Sequence, residues 1–251
     1  MAGIEGAQPD VIIYGSLARE NLPDPRSARV DDVNADGVDD LVVGASHGRG
    51  PDQEGFACGR VYIFFGSPDL PPVIDLAVES ADVTVYGKAS DHLTLGGAIT
   101  TGDINGDGIS DLIFGSMWAD RGKAFVIFGG PSLSPVYNIA SGDQDITIIG
   151  STSVYSADYD QLTYKRNLAI GDLNADGYGD IVLGAALGDG PLDRRTNCGE
   201  VYVIYGGANL PSVYNLKTGQ QDVIIYGRVF GSLSADGALE IADLNGDGID
   251  D

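Results

Sequence analysis

Basic side chains are scarce in this 251-residue chain: 14 lysines and arginines stand against 37 aspartates and glutamates, a formal net charge of −23. So acidic a surface disfavours nucleic acids and anionic membranes as partners. Histidine occurs only at His47 and His92, and tryptophan only at Trp118. A phosphate-cradling G-x-x-x-x-G-K and H-E-x-x-H are both missing. The familiar signatures of P-loop phosphoryl-transfer and zinc-protease chemistry are thereby excluded, and no catalytic residue is assigned. No apolar run approaches the ~20 residues that a membrane-spanning helix needs, so no membrane insertion is expected. The opening MAGIEGAQPD does not read as a signal peptide.

What abounds is one acidic loop. The pattern D-x-N-x-D-G-x-x-D occurs four times, starting at Asp32, Asp103, Asp172 and Asp243, at intervals of 71, 69 and 71 residues. A fixed period marks one repeated structural unit. Oxygen ligands at positions 1, 3 and 5, a glycine at 6 and a backbone carbonyl at 7 make the first half of a calcium loop. In the first copy the expected ligands are Asp32, Asn34, Asp36, the carbonyl of Val38, and Asp40. The others are Asp103, Asn105, Asp107, Ile109 and Asp111; Asp172, Asn174, Asp176, Tyr178 and Asp180; and Asp243, Asn245, Asp247, Ile249 and Asp251. Up to four Ca2+ ions are expected, one per loop, which would bring the net charge from −23 to −15. Without a cation the carboxylates of a loop repel one another, so an empty loop should be loose and a filled one rigid. A lone copy also reads as an Asx-type turn, but four copies in register favour the cation. An EF-hand is excluded, because position 12, where its glutamate belongs, is Val43, Phe114 or Leu183.

Each of the first three loops runs into a short apolar, β-branched stretch closed by glycine: LVVGA at 41–45, LIFGS at 112–116 and IVLGA at 181–185. These read as buried strands. Next come RVYIFFG (60–66), KAFVIFGG (123–130) and EVYVIYGG (200–207), then a proline-rich connection, then DVTVYG (82–87), DITIIG (145–150) and DVIIYG (222–227). Each period thus holds four short strands and no convincing helix. Four-stranded sheets at a fixed period are the signature of propeller blades.

Phrases such as LGGAITTGDINGDGISDLIFGS (95–116), followed by an aromatic strand ending in FGG, resemble the FG-GAP repeats of the integrin α-subunit β-propeller and its bacterial relatives. The "FG" survives as Gly96-Gly97 and Phe230-Gly231, and the "GAP" reads GAS, GSM and GAA. The resemblance implies an all-β propeller of four-stranded antiparallel blades. In such a blade the calcium loop joins the first two strands on a lower face, and ligands meet an upper face made by the other loops. On that reading the blades span 27–86, 96–149 and 167–226. Residues 10–15 are an unpaired fourth-type strand, and 238–251 are the first strand and loop of an incomplete blade. Propellers close with 4–8 blades, so about three blades are expected to be a fragment, completed by the rest of a parent chain or by a second copy. Cys58 and Cys198 hold matching places two blades apart, too distant for a disulfide.

The upper-face loops carry the aromatic and basic residues of this acidic chain, which makes them the expected contact surface. Trp118, Tyr155, Tyr159, Arg194, Arg195, His47 and His92 are the candidate ligand-binding residues. The expected function is a calcium-stabilised interaction or adhesion module that binds a protein or glycan, with calcium structural. Calcium-rich extracellular fluid fills weak sites of this kind, so secretion or surface display is expected. The alternative is the propeller part of a secreted hydrolase, phospholipase- or glycosidase-like.

Overall fold

A computed structural model describes residues 10–16, 20–22, 27–52, 55–94, 98–119, 122–151, 161–164, 167–231, 233 and 239–251. Three antiparallel sheets follow one another along the chain. The first contains β2 (Ala28–Asp31), β3 (Asp40–Ala45), β4 (Arg60–Phe64) and β6 (Val83–Tyr86). The second contains β7 (Ile99–Gly102), β8 (Asp111–Ser116), β9 (Lys123–Ile127) and β11 (Ile146–Ile149). The third contains β12 (Leu168–Gly171), β13 (Asp180–Ala185), β14 (Glu200–Ile204) and β16 (Val223–Tyr226). Their registers correspond: Leu41 faces Phe64, Leu112 faces Ile127 and Ile181 faces Ile204. This is the all-β architecture of propeller blades.

The second strand of each sheet is apolar at nearly every position because both of its faces are covered. Val42, Val61, Ile63 and Val85 of the first sheet meet Ile99, Phe114, Phe125 and Ile127 of the second in one cluster. Ile113, Val126 and Ile148, on the opposite face of the second sheet, meet Leu168, Leu183, Tyr202 and Ile204 of the third. Glycine permits the close approach of successive first strands. A Cβ on Gly102 would come within 2.9 Å of the Ile170 side chain, and one on Gly171 within 2.4 Å of Ile241. Residues 239–242 therefore lie beside β12 where a next first strand would lie, but form no strand, since no second strand pairs with them among the described residues. Arg29, Thr100, Ala169 and Glu240 line one polar cleft between these first-strand positions.

Two sequence expectations need correction. The strand at 10–15 is not unpaired: β1 (Ile12–Tyr14) lies parallel against β5 (Val73–Asp75). Nor is the proline-rich connection a mere linker. Its counterparts β10 (Val136–Asn138) and β15 (Val213–Asn215) pair in parallel with β6 and β11, so the first two sheets have five strands, the fifth lent by the following repeat. A prolyl N–H is not needed there, because the proline precedes the strand and lies on a sheet edge.

Candidate functional site

Strand polarity puts the aspartate loops at one end of every sheet and the second-to-third-strand loops at the other. Each aspartate loop is folded by its own side chains. In the first, Asp32 accepts from the amides of Asp36 (3.2 Å) and Gly37 (2.9 Å), Asn34 from Asp36 (2.8 Å), and Asp36 from Val38 (2.8 Å). The glycine at position six takes φ values of 85°, 84°, 88° and 86° at Gly37, Gly108, Gly177 and Gly248, a left-handed turn that a side chain would strain.

The ninth position behaves differently from the others. Asp40, Asp111 and Asp180 are fully buried. Each turns inward to accept one amide from its loop and one from the glycine after the third strand. For Asp111 these are Ile104 at 3.0 Å and Gly129 at 2.9 Å; for Asp40, Val33 at 3.1 Å and Gly66 at 2.8 Å. Asp180 does the same with Leu173 and Gly206. This carboxylate pins the loop to the sheet. Burial, with the charges of Asp107 and Asp103 adding to it, raises the Asp111 pKa to about 7 against the pull of its amide donors. Asp40 and Asp180 are raised by burial too, whereas the exposed Asp243 is lowered by amides led by that of Gly248.

The three carboxylates of a loop are not gathered on one point: no cluster of three or more His, Cys, Asp or Glu side chains suited to a metal occurs among the described residues. The donors nevertheless fit a hard cation in kind. Each loop offers carboxylate, amide and carbonyl oxygens around one glycine turn, and an oxygen that accepts one N–H keeps a further lone pair. The Asn34 amide NH2 bridges Asp36 (3.1 Å) and Asp40 (3.3 Å), a partial positive charge between two acids.

At the opposite end the structure brings His47, His92 and Trp118 together across the first two sheets. The imidazole centroids are 5.0 Å apart and edge-on, and Trp118 lies 6.5 Å from His92. The Asn21 amide NH2 stands 2.9 Å from His47 Nδ1 and can only donate, which makes Nδ1 an acceptor and places the proton on Nε2. His92 has φ of 50°, and its buried Nδ1 has no partner among the described residues. Burial, then His47, lowers its pKa, so it is neutral at physiological pH. Trp118 is 55% exposed. Arg194 and Arg195 sit on the loop after β13; the Arg195 guanidinium donates to the Gly227 carbonyl at 3.0 Å. Tyr155 and Tyr159 lie outside the described residues.

Sequence reasoning missed a buried polar network at this end. Arg60 Nη1 lies 3.5 Å from Glu20, 2.9 Å from the Tyr62 hydroxyl and 3.1 Å from Ser16, with its guanidinium 5.1 Å from the centroid of the Tyr86 ring. The Tyr62 hydroxyl donates to Glu20, and burial together with that bond pushes its pKa to about 12. The equivalent position in the third sheet is Glu200, buried against Tyr202 and the Gly190 amide. An arginine on a strand alternation gives no hint of a glutamate 40 residues earlier. Cys58 and Cys198 are buried, and burial raises both thiol pKa values, which disfavours the reactive thiolate.

Comparison with known proteins agrees with this architecture. The FG-GAP repeat model matches residues 95–132 and 166–204. Human phosphatidylinositol-glycan-specific phospholipase D is 32% identical over 191 residues, covering 71% of this chain and 20% of that protein. Integrin alpha pat-2 of Caenorhabditis briggsae is 27% identical over 198 residues, or 77% of this chain and 14% of the relative. Integrin alpha-PS2 of Drosophila melanogaster is 32% identical over 173 residues, or 65% and 11% respectively. The chain carries FG-GAP repeats and resembles the integrin α subunits, and it spans a fifth or less of each of these three relatives.

Proposed function

We propose that the chain is a calcium-stabilised interaction module of the extracellular space or cell surface, with a scaffold end and a contact end. Each aspartate loop would hold one Ca2+ through positions 1, 3, 5, 7 and 9, and the ion would draw these oxygens together and neutralise the loop's acids. A protein or glycan partner would meet the opposite end, centred on Trp118 with the neighbouring imidazoles. The observation that carries the reading is the contrast between these ends: four loops with one bond pattern below, and an exposed tryptophan beside two histidines above. Relatives named as integrin alpha subunits support an adhesive role. No helix among the described residues is long and apolar enough to cross a membrane. The test is a melt of metal-stripped protein with and without Ca2+, paired with protein- and glycan-array binding by the parent and Trp118→Ala. A calcium-insensitive melt defeats the scaffold half, and unchanged array binding by Trp118→Ala defeats the contact half.

The similarity to a phospholipase D favours a second reading, in which the module is a propeller part of a secreted hydrolase. Turnover of phosphodiester, ester or glycoside substrates by this chain, abolished by substitution of His47 or His92, would replace the first reading.

A further inference from the structure

A short parallel strand clasps the outer strand of a sheet at three places: β5 on β1, β10 on β6 and β15 on β11. The bonds recur. The amides of Ile12, Thr84 and Thr147 donate to the carbonyls of Pro72, Pro135 and Ser212 at 3.0, 3.0 and 2.9 Å. Two residues further on, the carbonyls of Tyr14 and Tyr86 accept from Leu76 and Ile139 at 3.0 and 2.9 Å. The clasping segments share one spelling, VIDL (73–76), VYNI (136–139) and VYNL (213–216), each with a proline one or two residues before it. Their first valine is half exposed, at 46%, 50% and 47%, while the fourth residue is buried. The third residue, Asp75, Asn138 or Asn215, accepts the amide two places on and turns the chain off the edge.

The strand β16 has the same character as the clasped strands but not the clasp. Its hexapeptide DVIIYG (222–227) repeats the DVIIYG of 10–15 letter for letter. Among the described residues it pairs with β14 alone. Val85 and Ile148, each beside its clasp and packed against the following sheet, are fully buried, whereas Ile225 is 51% exposed. The Ile224 amide and the Tyr226 carbonyl are the counterparts of the groups that β1 and β6 use.

We propose that the β16 edge is a strand-addition site for the clasp segment of another repeat of this type. It takes an extended Val-[Ile/Tyr]-[Asp/Asn]-[Leu/Ile] preceded by proline, parallel to β16, with the valine opposite Ile224. Main-chain bonds to Ile224 and Tyr226 give the register, and the alternate apolar residues cover Ile225. A second copy of this chain is not the occupant, because its three clasp segments are already held by β1, β6 and β11.

The test is amide hydrogen exchange on the full chain titrated with a peptide of residues 70–79, LPPVIDLAVE. The expected result is saturable slowing of the Ile224 amide by about tenfold or more at saturation. A peptide with Leu76→Pro, which lacks the donor for Tyr226, should give no slowing, and neither should the Ile225→Lys protein. Circular dichroism of Ile225→Lys verifies its fold, since the residue is half exposed. Equal protection by the proline peptide, no protection at millimolar peptide, or Ile224 protection that follows protein concentration without peptide would each overturn the proposal.

Discussion

The two ends of these sheets follow different rules. At the aspartate end the same bond recurs in all four loops, from the position-six glycine amide to the leading aspartate, at 2.9, 2.8, 2.9 and 2.9 Å. At the other end the first residue of the third strand is Arg60, Lys123 or Glu200, with different surroundings each time. What every sheet needs to stand beside a neighbour is repeated; what a partner could recognise is not. The comparison also holds within one end. Asp111 and Asp251 share a pattern position, but one is sealed between loop and sheet and the other is exposed.

The largest effect expected on the aspartate end is from metal. With free calcium 100-fold above dissociation, each occupied site adds about 2.7 kcal/mol, so chelation should lower the melting temperature by roughly 5 °C or more per site. Calorimetry with and without EDTA measures this, and an unchanged melt would erase the distinction between the ends. Next comes the ninth position. Asp111→Ala strands two buried amides, each worth about 1–3 kcal/mol, and should cost roughly 3 kcal/mol or more in urea unfolding. In metal-free protein Asp251→Ala should cost under about 1 kcal/mol. Equal costs would show that the pin to the sheet contributes nothing.

A smaller effect is expected from pH in metal-free protein. The folded pKa of Asp111 is raised from 3.8 to about 7, so its contribution to stability is full below the lower value and lost as pH rises through the upper one. Metal-free stability should therefore decline between about pH 4 and 8, and Asp111→Asn should flatten that slope in unfolding curves taken across the range. Calcium should reverse the trend, since a cation favours the ionised form. The smallest stability effect belongs to the contact end: Trp118→Ala should shift unfolding by no more than about 0.5 kcal/mol while abolishing partner binding on arrays.

The loops and the main strands were legible because each rests on local spelling plus a period. D-x-N-x-D-G writes its own turn, and β-branched runs write their own strands. The clasps were not legible, although LPPVIDL, LSPVYNI and LPSVYNL are plainly related. Three residues behind a proline carry too little alternation to declare a strand, and parallel pairing depends on an edge that another repeat supplies. The inward turn of Asp40, Asp111 and Asp180 was hidden for a similar reason: their amide partners at Gly66, Gly129 and Gly206 lie 18 to 26 residues on. The Arg60–Glu20–Tyr62 network needed the fold before its members could meet.

The clasps also set a timetable for synthesis. A sheet made first keeps a bare outer strand until the ribosome has released the proline-headed segment of the following repeat, at about 5–20 residues per second. The amides of Thr84 and Thr147 lack their clasp partners until Pro135–Ile139 and Ser212–Leu216 emerge, so each nascent sheet passes through a sticky interval of a few seconds. Maturation is staggered by one repeat, and the native unit of folding overlaps two.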